Sequence, residues 1–191
     1  MSADACTYAL NTSTFRDCGE LSLAEMIDIT AKAGYDGIEP WVQELDAHVD
    51  NGGTLDGIRR RCRHADLDIV NLVGFFEWSV DDDQARSEAF EEAERCFQMA
   101  SELECPYVAA PPLGIHETPG VDLFEVADRY GELIDAARPY GVTPVLEFWG
   151  IASSLGTLGE ALMVAAESQR SEACILADVF HMYKGSGGFH G

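Results

Sequence analysis

Lysine is almost missing from this chain: Lys32 and Lys184 are the only two, and the 12 basic side chains in all stand against 34 acidic ones. The formal charge of −22 is spread over the helical segments and not gathered in one tail. A surface of that sign repels nucleic-acid phosphates and anionic bilayers, so neither nucleic acid nor membrane is expected as a partner. It also repels itself, and salt screens that repulsion. The expectation is a salt-adapted, halophilic type of cytoplasmic protein, with an ordinary acidic enzyme as the alternative. No apolar run is long enough to span a bilayer. Residues Met1 to Ala5 lack the basic region and apolar stretch of a signal peptide. The six cysteines form no C-x-x-C pair, and four of them fall within apolar segments. That argues for reduced, mostly buried thiols and against a disulfide frame or a zinc finger. There is no G-x-G-x-x-G turn after the first strand and no P-loop anywhere, so the dinucleotide and nucleotide-phosphate cradles are excluded.

What the chain does have is alternation. Apolar runs of strand length at 6–11, 35–41, 68–74, 105–110, 142–150 and from 173 onward are separated by stretches with helical spacing. A capping box, Ser22-Leu23-Ala24-Glu25, opens the first helix, which runs to about Lys32. Thr54 caps a helix to about Ala65, and Asp81-Asp82-Asp83 starts a long one, its acids at the positive end of the dipole. Residues 119–139 and those from Ser153 to about Glu167 supply two more. The basic run Arg59-Arg60-Arg61-Cys62-Arg63 fans around a helix and does not form a stripe, so it reads as a solvated face pairing with Asp and Glu. At 191 residues the chain fits a single domain, 1–191. Strict alternation implies a parallel sheet with right-handed crossovers, either an open doubly wound sheet or a (β/α) barrel. Polar residues end several strands, namely Glu39, Asn71, Glu147 and Asp178, and a barrel builds its site from many strand ends. A full barrel needs eight strands; this chain supplies about six βα units and is expected to be an incomplete, C-terminally truncated barrel.

Period-two alternation puts Val145, Glu147 and Trp149 on one side of the fifth strand and Leu146 and Phe148 on the other. Leu176 and Asp178 share a side of the sixth. Should those sides line the barrel, two carboxylates meet at its C-terminal mouth. Such oxygen donors suit Mg²⁺, Mn²⁺ or Co²⁺, and Zn²⁺ if an imidazole joins. The competing reading is that each acid pairs with an arginine or caps a helix. His181 follows Asp178 by three residues and would face away from it on a regular strand. It reaches the mouth only where the strand ends near Phe180; there it would bind substrate hydroxyls or carry a proton. Otherwise it lies on the outer rim. Glu39 either supports the site from behind or simply ends a strand. His116 falls in a long loop, where solvent exposure is the default, and His48, His64 and His190 carry no local signal. Trp41, Phe75, Phe76, Trp78 and Trp149 cluster near strand ends and suit the wall of a sugar-sized pocket.

Leu146-Glu147-Phe148-Trp149-Gly150, the segment Ser153 to Leu162, Leu176-Ala177-Asp178-Val179-Phe180-His181 and Asn71-Leu72-Val73 with Phe75-Phe76 together resemble the xylose isomerase-like TIM barrels. Within them the likeness is nearest to the sugar phosphate isomerase/epimerase group, which includes inosose isomerase and inosose dehydratase. The resemblance implies a divalent metal held by glutamate, aspartate, histidine and glutamate from strands five to eight. Carried over, Glu147 is the first ligand and a proton-transfer base, and Asp178 is the second ligand. His181 matches the histidine that contacts substrate, with Glu39, Trp149 and Asn71 as further substrate-side residues. The third and fourth ligands belong to strands this sequence does not contain. The implied reaction is isomerisation or epimerisation of a sugar, sugar phosphate or keto-inositol by proton abstraction beside a carbonyl, impaired in so short a chain. The alternatives are a non-catalytic fragment or a subunit completed by a C-terminal segment or a second copy, then an inosose-type dehydratase or an abasic-site endonuclease.

Overall fold

Parallel strands and the helices that return between them dominate the computed structural model of the chain, which describes residues 6–185. In chain order the strands are β1 (Ala9–Asn11), β2 (Gly37–Glu39), β3 (Asp68–Ile69), β4 (Leu72–Val73), β5 (Tyr107–Ala110), β6 (Thr143–Glu147) and β7 (Ile175–Leu176). The helices are α1 (Leu23–Lys32), α2 (Val42–Asp50), α3 (Leu55–His64), α4 (Asp83–Glu102), α5 (Leu123–Ala137), α6 (Leu158–Glu167) and α7 (Val179–Lys184). One sheet has the order β1-β2-β3 and the other β4-β5-β6-β7, with every pairing parallel. The third strand of the sequence reading is therefore two short pieces. Val70 still donates to Ile38 and Val73 to Pro40, so the kink at Val70-Asn71 hands the chain from one sheet to the next without losing the strand order. Among the described residues, β1 and β7 each pair on one side only.

Helix starts follow the local chemistry. Ser22 and Glu25 form the reciprocal capping box at α1, and Thr157 with Glu160 repeats it at α6. Thr54, Asp82 and Asp122 cap α3, α4 and α5 with their side-chain oxygens. Helix α5 starts at Leu123, not Pro119, because Asp122 captures the Phe124 N–H. The sequence reading assigned no element to the stretch that forms α2, whose buried Val42 and Leu45 lie three residues apart. The arginine run on α3 behaves as expected: Arg59 and Arg60 pair with Asp56, Arg61 with Asp28 and Arg63 with Glu104.

The core lies between strands and helices, and its largest fully buried side chains include Trp78, Tyr130, Phe97 and Phe148. Burial of each such side chain is worth roughly 1.5–3 kcal/mol. Tyr130 does more than fill space. Its hydroxyl, on α5, lies 2.9 Å from the Pro144 carbonyl of β6 and 3.0 Å from the Cys174 carbonyl just before β7. It thus ties together the two strands that carry Glu147 and lead to Asp178, and burial pushes its phenol well above the usual range. Cys62, Cys96 and Cys105 are buried and unpaired, and burial pushes their thiols up to about 11, 12 and 12, which leaves them protonated and inert. No helix among the described residues is long and apolar enough to cross a membrane.

Candidate metal and proton-transfer site

β6 ends at Glu147, and the pleat does what the alternation predicted. Leu146 and Phe148 are fully buried toward the helices, while Glu147 and Trp149 line a cavity of about 420 Å³ at the C-terminal ends of the strands. Leu176, which ends the neighbouring strand β7, and Asp178, two residues beyond it, line the same cavity. The path to His181 differs from the expectation. The last strand stops at Leu176, and Asp178 caps α7, its Oδ1 accepting the N–H groups of Phe180 at 2.7 Å and His181 at 3.1 Å. Asp178 thus does cap a helix, as the competing reading held, yet it also faces the cavity. A helix turns residues three apart onto one side, where a strand would have opposed them. His181 consequently lines the cavity with Asp178.

One donor atom from each of Glu147, Asp178 and His181 lies within 4.8 Å of the others. None of the ion pairs among the described residues brings an arginine or lysine to Glu147 or Asp178. Burial pushes the Glu147 carboxyl up to about 7; a hydrogen bond from the Trp149 side chain works against it, and the charges of Asp178 and Glu39 add to the rise. Burial also lowers the His181 imidazole, with Asp178 pulling the other way. The Gly150 N–H donates to His181 Nδ1 at 3.2 Å, so in the neutral ring the proton sits on Nε2. Nε2 is 3.9 Å from Glu147 Oε1, too far for a hydrogen bond and wide enough for another oxygen to accept from it. The donor chemistry therefore fits a divalent cation on the two carboxylates, with His181 as an N–H donor beside it. A glycine is required at position 150: a Cβ there would lie 2.2 Å from the His181 carbonyl oxygen.

The opposite wall is built differently. Glu39 ends β2 and lines the cavity, but both its oxygens are taken: Asn11 Nδ2 donates to one and Asn71 Nδ2, at 2.7 Å, to the other. Asn71 is buried and reaches Glu39 from behind, not the cavity. Asn11 in turn accepts from the Trp41 indole N–H at 3.0 Å, and Glu44 accepts from the Trp41 backbone N–H at 3.0 Å. Trp41, Phe75 and Trp149 form the aromatic wall, with ring centroids 4.9 Å and 6.5 Å apart, and the His181 ring follows 6.2 Å beyond Trp149. Phe76 and Trp78, grouped with them in the sequence, are core residues instead: Trp78 is fully buried and donates its indole N–H to the Pro111 carbonyl. His116 is half-buried against Trp149 at 5.7 Å, not in solvent as its loop suggested. His48 and His64 lie on α2 and α3 outside the cavity, and His190 falls outside the described residues. The sequence reading missed Asn11, whose only signal was an amide where the first strand ends.

Parallel strands wound in chain order, with acids at their C-terminal ends around one mouth, define a (β/α) barrel arrangement. The chain belongs to the xylose isomerase-like TIM barrel family, whose model matches residues 27–189. It is 27% identical over 169 residues to an inosose isomerase of Halalkalibacterium halodurans, an alignment that covers 85% of this chain and 58% of that protein. Among solved structures it is similar to the IolI protein crystallised with a zinc atom (TM-score 0.84, 22% identity, 96% of this chain and 66% of that one). It is also similar to D-psicose 3-epimerase of Clostridium cellulolyticum with D-tagatose (TM-score 0.80, 16% identity, 95% and 66%). The chain thus spans somewhat under two thirds of the length of these relatives.

Proposed function

We propose that this chain carries the proton-transfer half of a divalent-metal-dependent isomerase or epimerase acting on a keto-sugar or keto-cyclitol. The observation that carries this reading is the convergence of Glu147, Asp178 and His181 within 4.8 Å in an aromatic-walled cavity. Glu147 and Asp178 would hold the cation, Mn²⁺, Mg²⁺, Co²⁺ or Zn²⁺, whose contribution when bound is to polarise the substrate's carbonyl and hydroxyl oxygens. Glu147 takes the proton from the carbon beside the carbonyl. The C–H electron pair becomes the C=C bond of an enediolate, and the carbonyl π pair moves to oxygen. The His181 Nε2–H donates to a substrate oxygen, held in that direction by Gly150. Return of the proton to the neighbouring carbon, with the hydroxyl proton passing from one enediolate oxygen to the other, isomerises; return to the other face of the same carbon epimerises. Trp41, Phe75 and Trp149 offer ring faces to the C–H side of a sugar and shield the site from water.

The half-reaction can be tested without full turnover. Incubation of a keto-inositol or D-fructose with the chain and Mn²⁺ in D₂O should exchange the α-proton for deuterium, read by NMR. Glu147→Gln should slow that exchange by about 10²–10⁴-fold, and Asp178→Asn should weaken Mn²⁺ binding in calorimetry. Exchange that survives Glu147→Gln unchanged removes the proposal. The one-sided pairing of β1 and β7 favours a second reading, a fragment that needs a complementing segment. Exchange seen only after the remaining third of a relative is added would select it.

A further inference from the structure

We propose that Arg16 is an anion anchor at the rim of the same cavity, and that the substrate carries a carboxylate or phosphate at the end remote from its reacting carbon. The inference rests on the proposed proton-transfer reading for what lies at the other end of the cavity, and on separate observations for the anchor itself. Among the described residues, every arginine except Arg16 has a carboxylate within 4.0 Å: Arg59, Arg60, Arg61, Arg63, Arg86, Arg95, Arg129, Arg138 and Arg170 are all paired. In a chain with 34 acidic side chains against 12 basic ones, a guanidinium without a partner is the exception. Arg16 is exposed, and its guanidinium carbon lies 4.2 Å from the centroid of the Trp41 ring.

Trp41 is a cavity wall, and it is unusually well fixed. Its indole N–H is held by Asn11, its backbone N–H by Glu44, and its ring packs on Phe75. A guanidinium stacked on a fixed aromatic ring loses little further freedom when it binds, and its planar fork of donors matches carboxylate and phosphate oxygens. Ser13 lines the cavity three residues before Arg16, and the Arg16 backbone N–H is tied to the Ser13 carbonyl, which fixes where the side chain leaves the main chain. Trp41, Phe75 and Trp149 separate Arg16 from His181. A substrate laid along that wall would put its carbonyl end at Glu147 and its charged end at Arg16. The acids at one pole would discourage an anion there, so the two poles would also orient the molecule.

The test is calorimetry with the whole chain and Mn²⁺, using D-fructose, D-fructose 6-phosphate and D-gluconate as probes, on the parent, Arg16→Met and Arg16→Lys. Methionine keeps the apolar stem on Trp41 and removes the charge; lysine keeps the charge and loses the planar fork. The parent should bind at least one anionic probe tighter than fructose. Arg16→Met should weaken that probe about tenfold or more while leaving fructose unchanged, and Arg16→Lys should fall between. The probe that responds more strongly tells phosphate from carboxylate. Equal weakening of the charged and neutral probes, or no weakening, overturns the anchor whatever the α-proton exchange shows. Loss of the Glu147-dependent exchange reading, with the Arg16-dependent preference intact, would overturn the chemistry and leave the anchor standing.

Discussion

Two glutamates end strands at the same mouth and live in opposite surroundings. Glu39, the last residue of β2, has an amide donor on each oxygen. Glu147, the last residue of β6, has a single side-chain donor, Trp149, stands 3.9 Å from His181 Nε2, and faces the charge of Asp178. A carboxylate whose oxygens are satisfied is a brace: Glu39 holds Asn11, and through it Trp41. A largely buried carboxylate that has one donor, Trp149, and two acids for neighbours holds its proton to higher pH than a solvated one. Strand-end position is common to both; the donors around each decide which one is left for the proposed proton transfer.

The largest expected effect that would break this contrast is on stability. A carboxyl raised from 4.5 to about 7 in the folded chain makes folding bind a proton. Wild-type stability contributed by the protonated form is present below pH 4.5 and is lost as pH rises toward 7, by about 3 kcal/mol in all. Glu147→Gln removes that loss. In metal-free buffer the variant should gain on the parent by up to about 3 kcal/mol between pH 5 and pH 8 in urea unfolding. An equal difference at both pH values would show that Glu147 is solvated like any surface acid.

Glu39→Gln should do the reverse. It replaces one acceptor by an amide NH₂ that faces another NH₂, and it removes the charge that both asparagines donate to. The expected cost is about 2 kcal/mol in urea unfolding, with a changed near-ultraviolet circular dichroism signal from Trp41. A variant as stable as the parent would mean that the amide brace is not a brace.

Much of the Glu147 pole was legible in the sequence, because it depends on local rules. Period two places Glu147 and Trp149 together, and an apolar run ending in an acid flags Asp178. The start of α7 was not legible as a helix: Val179-Phe180-His181-Met182-Tyr183 suits a strand as well as a helix, and the deciding feature is the Asp178 cap. The residues of the Glu39 pole were legible, since Glu39, Asn71, Trp41 and Phe75 stand at or beside strand ends, but the bonds among them were not. The hydrogen bonds of Glu39 join residues 28 and 32 positions apart, and the Tyr130 hydroxyl that ties β6 to β7 spans 14 and 44. Such partners exist only once the barrel has wound. The same holds for the aromatic cluster, where the fold alone sends Phe76 and Trp78 into the core and Phe75 to the cavity.

The smallest effect is the sharpest on cause. Two physical agents raise Glu147: burial first, then the negative charges of Asp178 and Glu39. The net charge of −22 adds a diffuse field of the same sign over the whole molecule. Salt screens charge–charge interactions, the exposed and distant ones most, and does nothing to a desolvation cost. Raising NaCl from 0.1 M to 1 M should therefore increase the stability of the chain as a whole by relieving its self-repulsion. The Glu147 midpoint, read from its ¹³C carboxyl shift, should stay near 7 and move down only slightly. A midpoint that falls to the ordinary carboxylate range in high salt would make the mouth of this barrel an electrostatic accident of an acidic surface. One that holds identifies the packing around β6 as the source of the raised carboxyl, and so as the feature separating Glu147 from Glu39.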